Sequence, residues 1–176
     1  MSFIAKLCRK WSTGMTHHPI PDRDNPDEIY LSRYYETDSQ QDAWWFLHNI
    51  KLPNYEPCPH NHPYSWQLSL ILAASYTEET YDPVTNTTKV RRRRFFNWIP
   101  STKYHRIIEF HGECWTIFIH GPKTGKSWGF WVPGVGHVHN SQLQWVKEKL
   151  EQEYWEKVLA PSRYTGFIPG GDLVYV

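Results

Sequence analysis

An all-β sandwich or barrel is the fold class this chain predicts, and three observations predict it. Between residues 29 and 132, short segments rich in aromatic and β-branched residues recur, each bounded by Pro, Gly, Asn or Asp. The connections are short and give roughly seven or eight strands, the pattern of a sandwich or barrel. Beyond residue 140 the period changes to that of a helix, with Leu143, Val146, Leu150, Tyr154 and Val158 on one side.

Residues 1–11 place Phe3, Ile4, Leu7, Cys8 and Trp11 on one helical face, with Lys6, Arg9 and Lys10 elsewhere. This predicts a short helix packed on the body or on a neighbouring subunit; as a membrane-surface anchor it has few basic residues. Residues 12–27 carry Pro19, Pro21, Pro26 and several Asp, and read as a linker. Strands are expected over 29–35 and 43–50. After Pro53, Pro57 and Pro59, a long apolar strand covers 66–76, with Leu68, Leu70 and Leu72 on one face and Ser69 and Ile71 on the other. Asp82-Pro83-Val84-Thr85-Asn86 makes a turn, and the chain returns as a strand over 89–99. Strands over 104–110 and 114–120 meet at His111-Gly112, and a turn over 121–126 leads to a strand over 127–132. Ser141 with Gln144 offers a capping box for the C-terminal helix, which ends near Leu159 before Pro161. Gly166, Pro169, Gly170 and Gly171 make the end a loop with a strand-like 173–176. The expected organisation is an arm and linker over 1–27, a barrel over 28–139, a helix over 140–160 and a tail over 161–176.

A chain of 176 residues fits one domain, and 40% hydrophobic with 16% aromatic content is enough for one core. Ten tryptophans suit a core that encloses a cavity or lines an interface, because each indole N–H also needs a partner. The net charge of +1 gives no general attraction to nucleic acid or membrane. Cys8, Cys58 and Cys114 are odd in number and form no Cys-x-x-Cys pair, which argues against a disulfide framework or Cys-rich zinc site and for reduced thiols. The N-terminus has no apolar core of a secretory signal, and no stretch approaches the ~18 apolar residues of a membrane span. A soluble, cytoplasmic protein is the expectation.

Three histidines carry the chemistry. His60 and His62 flank Asn61 just before the apolar run, and His105 opens a later strand. Neutral imidazole is the commonest protein metal ligand, and three of them leave coordination positions open for water or substrate. The bland alternative is that these histidines line a polar pocket or turn.

A small two-sheet barrel with an early His-x-His and a lone later His resembles the cupins. Their first motif runs His-x-His, three or four residues, Glu, six residues, Gly; here it reads His60-Asn61-His62, four residues, Gln67, six residues, Ala74. The second contains Pro-x-Gly-x-x-His, matched in spacing by Pro100-x-Thr102-x-x-His105. The resemblance implies a double-stranded β-barrel (jelly roll), here with an N-terminal arm and one C-terminal α-helix. It also implies a divalent metal, Fe(II), Mn(II), Ni(II) or Zn(II), on His60, His62 and His105. Gln67 stands where the family usually has a metal-binding Glu, and a neutral amide is a poorer ligand for a hard cation. Its absence is compatible with a three-histidine site, which certain cupin dioxygenases use for ferrous iron, and with a barrel that has lost its metal. Segments such as His60-Asn61-His62-Pro63-Tyr64, Arg91–Arg94 and Trp115-Thr116-Ile117-Phe118-Ile119-His120-Gly121-Pro122 are similar to cupin-like proteins of tailed phages.

Alternation in the 89–99 strand sends Arg92 and Arg94 to one face and Arg91 and Arg93 to the other. Turned inward, Arg92 and Arg94 would grip a carboxylate or phosphate; turned outward, such charges block edge-to-edge association. Tyr104 is a candidate to orient substrate. Glu78, at a strand end, is a candidate acid or base near the metal, with a solvated Glu78–Glu79 pair as the ordinary reading. Gly121-Pro122-Lys123-Thr124-Gly125-Lys126-Ser127 is one residue short of a P-loop and precedes a strand, so a hairpin turn is expected. Trp128-Gly129-Phe130-Trp131 reads as aromatic core filling in preference to a base-stacking platform. His111, His120, His137 and His139 are further polar candidates, with a Gly-rich loop expected for the last two. Cys58 and Cys114 are read as buried small hydrophobes.

Two functions follow. One is a metal-dependent enzyme of oxygenase, isomerase or hydrolase type on a small anionic substrate, with Gln67 as a fourth ligand or a hydrogen-bond partner to bound water. The other is a non-catalytic binder of a small molecule or protein partner, such as a virion component or inhibitor of host defence. A homodimer is the oligomer the family resemblance suggests, and nucleic-acid binding through Arg91–Arg94 is the poorest reading.

Overall fold

The computed structural model describes residues 2–22, 25–53, 58–132 and 135–142. These form an all-β jelly roll of two packed sheets behind one N-terminal helix. The larger sheet has the order β1(Thr16–Pro21)-β2(Ile29–Tyr35)-β3(Trp45–Ile50)-β9(Cys114–His120)-β4(Trp66–Ala73)-β7(Phe96–Pro100). The smaller has β6(Thr87–Arg93)-β5(Tyr76–Asp82)-β8(Tyr104–Phe110), extended through a single bridging residue, His60, to β10(Gly129–Val132) and β11(Gly136–His139). All the pairings are antiparallel.

Helix α1 (Phe3–Ser12) starts on an N-cap in which Ser2 Oγ accepts from the Ala5 N–H at 3.1 Å. It buries Ala5, Cys8 and Ser12, a small-residue face that lets it lie close on the outer side of the larger sheet against Leu47, Ala73 and Trp115. Its larger apolar residues Phe3, Ile4 and Leu7 remain exposed, and Trp11 stacks on Trp45 at 5.6 Å. Glu113 ties the helix down: Oε1 accepts from Arg9 Nε (2.9 Å), Asn49 Nδ2 (3.2 Å) and Trp115 Nε1 (2.9 Å). The helix explains why β3 and β9 are buried on both faces. Leu47 and Trp115 face it, while Phe46, His48, Thr116 and Phe118 point between the sheets.

The structure departs from the sequence reading at three points between residues 12 and 99. The 12–27 segment, expected as a linker, carries β1, which pairs with β2 from Thr16↔Tyr35 to Pro21↔Ile29; its prolines are tolerable because β1 is an edge strand. The apolar run 66–76 stops at Ala73, and Tyr76–Asp82 forms a separate strand in the other sheet, placing Glu78 in mid-strand. The break is Ala74, whose φ of 63° lies in the left-handed region. That is the position where the cupin motif has Gly. The expected single strand 89–99 is two: the chain leaves the smaller sheet after Arg93 and enters the larger at Phe96. The C-terminal helix and tail fall on residues 143–176, outside those described; Asn140–Gln142 form a 3₁₀ turn. Among the described residues no helix is long and apolar enough to cross a membrane.

Two stability predictions follow from these contacts. A left-handed L-residue costs about 1–2 kcal/mol, and glycine's extra unfolded-state entropy returns about 0.5–1. Ala74→Gly should therefore raise stability by up to about 1.5 kcal/mol in a denaturant titration. For Glu113, burial raises the carboxyl pKa, but the hydrogen bonds from Trp115 and Arg9 and the Arg9 charge outweigh it and hold the group below its usual range. A carboxylate depressed on folding stabilises above its unfolded pKa and loses that contribution as pH falls through the folded value. Glu113→Gln should lower the Tm at neutral pH, and the gap to wild type should close on acidification below the carboxylate range.

Candidate metal centre

The three histidines converge because three separate strand edges deliver them. His60 sits between β8 and β10: its N–H donates to His105 O (2.9 Å), and its carbonyl accepts from His105 N (2.8 Å). Asn61 locks the other side, accepting from the Gly129 N–H through Oδ1 (2.8 Å) and donating its own N–H to Gly129 O (2.9 Å). Gly129 permits this approach because a Cβ there would run into the Val138 carbonyl. His62 follows two residues on, and the ligand atoms of His60, His62 and His105 all lie within 4.8 Å of one another. His62 Nε2 and His105 Nε2 are 2.8 Å apart.

Glu78 supports the cluster from behind. Its Oε1 lies 2.7 Å from His105 Nδ1 and 2.6 Å from Asn97 Nδ2, and its Oε2 accepts from Arg93 Nε at 2.9 Å. Burial would raise its pKa, but the hydrogen bond and charge of His105, the charge of Arg93 and the Asn97 hydrogen bond hold it below the usual range. An ionised carboxylate only accepts, so His105 keeps a proton on Nδ1 whether its ring is charged or neutral, and in the neutral ring the Nε2 lone pair is turned toward His62. Two such nitrogens 2.8 Å apart then share either one proton, on His62 Nε2, or one cation. Burial, with the neighbouring His60 and His105, holds the His62 pKa well below its usual value, so its ring is neutral and able to ligate.

The cluster opens into a cavity of about 380 Å³ between the sheets, walled by Phe46, Tyr64, Ile107, Phe118 and Trp128 among others. Arg33, on β2, enters this wall directly opposite His48 in the β2–β3 register. Its Nε donates to His48 Nε2 at 3.2 Å, and its guanidinium lies 4.7 Å over the Phe46 ring. Burial holds the His48 pKa well below its usual value, the Arg33 charge adding to the effect, so His48 is a neutral acceptor.

The sequence-predicted residues divide. His60, His62 and His105 come together, and Glu78 joins them. The ordinary reading of a solvated Glu78–Glu79 pair is corrected: Glu78 is fully buried, and Glu79 pairs with Arg106 (3.0 Å) on the smaller sheet. Gln67 is 2% exposed on the same face of β4 as Ser69 and Ile71, and its Oε1 has no hydrogen-bond partner among the described residues. Tyr104 turns away from the cavity, its hydroxyl 3.0 Å from His137 Nδ1 and its ring against Trp131. Arg92 and Arg94 are exposed on the edge strand β6 and at its end and do not line the cavity; Arg92 donates to Ser75 Oγ at 3.0 Å. Arg33 and His48 carry the polar contact there instead, and no motif announces them; the signal was the polar, aromatic-flanked alternation of β2 and β3.

Of the rest, His111 lies 2.8 Å from Thr77 Oγ1, and His120 stacks on Tyr64 at 3.8 Å. His137 and His139 lie on β11, a strand and not the expected loop. Residues 121–128 connect β9 to β10 without a helix, so no phosphate cradle forms there. Phe130 is fully buried beside Trp128, as aromatic core. Cys58 and Cys114 are buried, and burial pushes the Cys114 thiol up to about 12, which makes it inert at neutral pH.

Solved structures of similar fold include Drosophila melanogaster CENP-C bound to CAL1, at 8% identity over 66% of this chain and 95% of that one, TM-score 0.48. The Drosophila melanogaster CENP-C cupin domain aligns at 9% identity over 61% of this chain and 75% of its own, TM-score 0.43. Streptomyces albus HEPD, solved with 2-hydroxyethylphosphonate and Fe(II), aligns at 7% identity over 65% of this chain and 25% of its own, TM-score 0.47. Likenesses at this level concern the course of the chain and not its chemistry. No family model matches the sequence, and no curated protein matches it.

The donors present fit a divalent transition metal. Three imidazoles suit iron, nickel or zinc, the Glu78 carboxylate behind His105 fixes one tautomer, and the open cavity leaves a face for another ligand. The orphaned Gln67 Oε1 is a spare acceptor on the inward face of β4. Removing such an outer-shell partner costs about 10–100-fold in metal affinity. Glu78→Ala should weaken Co(II) binding by that factor in a chelator competition, while Glu78→Gln, which keeps an acceptor for Nδ1–H, should lose less.

Proposed function

We propose that the chain is a metal-binding cupin-like protein in which His60, His62 and His105 hold Fe(II), Mn(II), Ni(II) or Zn(II). The convergence of their ligand atoms within 4.8 Å carries this reading. We further propose that it is an enzyme of oxygenase, isomerase or hydrolase type acting on a small anionic substrate. The bound metal would supply Lewis acidity, a water of lowered pKa or, as ferrous iron, a site for dioxygen. The chain's own residues supply the rest: Glu78 keeps the His105 proton on Nδ1, Phe118 and Trp128 exclude water, and the neutral His62 adds no charge to repel a cation.

One observation favours a non-catalytic binder. The 2.8 Å contact between His62 and His105 is also satisfied by a proton alone, as in a barrel without metal. Metal content separates the two. Protein purified without a His tag should contain close to one equivalent of iron, manganese, nickel or zinc, and a His60→Ala/His105→Ala variant none. No metal in either protein, even after anaerobic loading with ferrous iron, would sink the enzyme reading and leave the binder.

A further inference from the structure

We propose that Arg33 is an anion-recognition residue of this cavity, and that the cavity takes a small carboxylic acid with a flat apolar body, its carboxylate on the guanidinium. Among the described residues, Arg33 is the one Lys or Arg in the cavity wall. Among the described residues no carboxylate lies within ion-pair distance of it. Asp22, the acid on the same wall, has Oδ1 engaged by the Asn25 N–H at 2.9 Å. A half-buried cation without a counter-charge has lost part of its hydration and gained only a neutral acceptor, His48, and an aromatic face in return.

The same two contacts hold the fork in place. His48 takes the Nε–H and Phe46 fixes the plane, leaving the two terminal NH₂ groups for an incoming pair of oxygens. A planar fork of that kind matches a carboxylate bidentately and was ordered before the ligand arrives. One guanidinium balances one negative charge. Much of the remaining wall, with Phe46, Ile107, Phe118 and Trp128, offers ring faces and aliphatic surface beside a few polar groups such as Ser69 and Thr116, which favours a monoanion with an apolar body over a phosphate. The volume of about 380 Å³ admits a ligand of that size. The proposal rests on the reading above in placing the ligand's other end at the histidines; the anion contact itself needs only Arg33.

Benzoate and its neutral isostere benzamide test it by calorimetry, on the wild type and on Arg33→Met and Arg33→Lys, each with Co(II) and after chelation. The wild type should bind benzoate at least about tenfold tighter than benzamide, about 1.4 kcal/mol. Arg33→Met should lose at least that factor for benzoate and leave benzamide unchanged, and Arg33→Lys, with charge but no fork, should fall between. Equal binding of the two probes by the wild type, equal benzoate affinity in Arg33→Met, or no binding of either probe would overturn the proposal. If Arg33→Met does not fold, the benzoate–benzamide comparison on the wild type decides. Benzoate preference without Co(II) uptake would fail the metal reading and leave this one standing. Co(II) uptake without benzoate preference would do the reverse.

Discussion

Glu78 holds a negative charge where no water reaches it, and much of the structure is arranged around that fact. A buried carboxylate is sustained only by donors that replace its hydration. Here they come from three places. His105 is on the neighbouring strand of the same sheet, Arg93 is at the point where the chain leaves that sheet, and Asn97 is just inside the other sheet. The carboxylate thus bonds both sides of the crossing between β6 and β7. Asn97 also donates to the Tyr76 hydroxyl at 3.1 Å, which extends the tie to the start of β5. Stability and the orientation of the His105 ring depend on one group, so a change made at Glu78 acts on both the histidine cluster and the joint between the sheets.

The larger sheet divides its work by face. Outward, Leu47, Ala73 and Trp115 meet the small side of α1, and Glu113 pins the helix through Arg9. Inward, a row running Arg33–His48–Thr116–Ile71 crosses four strands in register. Alternation assigns Leu47 and Trp115 to one side and His48 and Thr116 to the other, and the register shift between Ile71 and Ala73 in β4 turns Ala73 outward. The apolar cover and the polar wall are thus built from the same strands without competing for space. That separation lets a histidine and an arginine sit deep between sheets that are otherwise aromatic.

The strand limits of β2, β8 and β9 were legible because apolar alternation there coincides with turn residues. The approach of the three histidines was legible because a His-x-His before one strand and a lone His at the start of another restrict spacing as well as residue type. Elsewhere the local signal and the tertiary outcome part. Residues 89–99 contain no Gly or Pro, yet the chain changes sheets at Arg94 and Phe95; no turn residue marks the transfer, and the partners of Arg93 and Asn97 hold it on either side. Tyr76–Asp82 is polar enough to read as an exposed end, and its burial depends on donors up to 27 residues away. Arg33 was invisible as a site residue because its role comes from a cross-strand register with His48, 15 residues distant. Arg92 and Arg94 were singled out for their charge, and their strand turned out to be the sheet's edge, where charge serves solubility.

Among the described residues, His60 is also the residue that bridges β8 and β10, with its backbone bonded to His105 on one side and its bridge to Phe130, flanked by the Pro59 and Asn61 bonds to Trp131 and Gly129, on the other. The seam of the smaller sheet and the candidate ligand set are therefore made of the same residues. A cation there would fasten side chains beside a short backbone joint, held by His60 toward β8 and by Pro59 and Asn61 toward β10. It would act as a clasp on the barrel wall, and the cost of parting β10 and β11 from the rest of the sheet would rise with its occupancy.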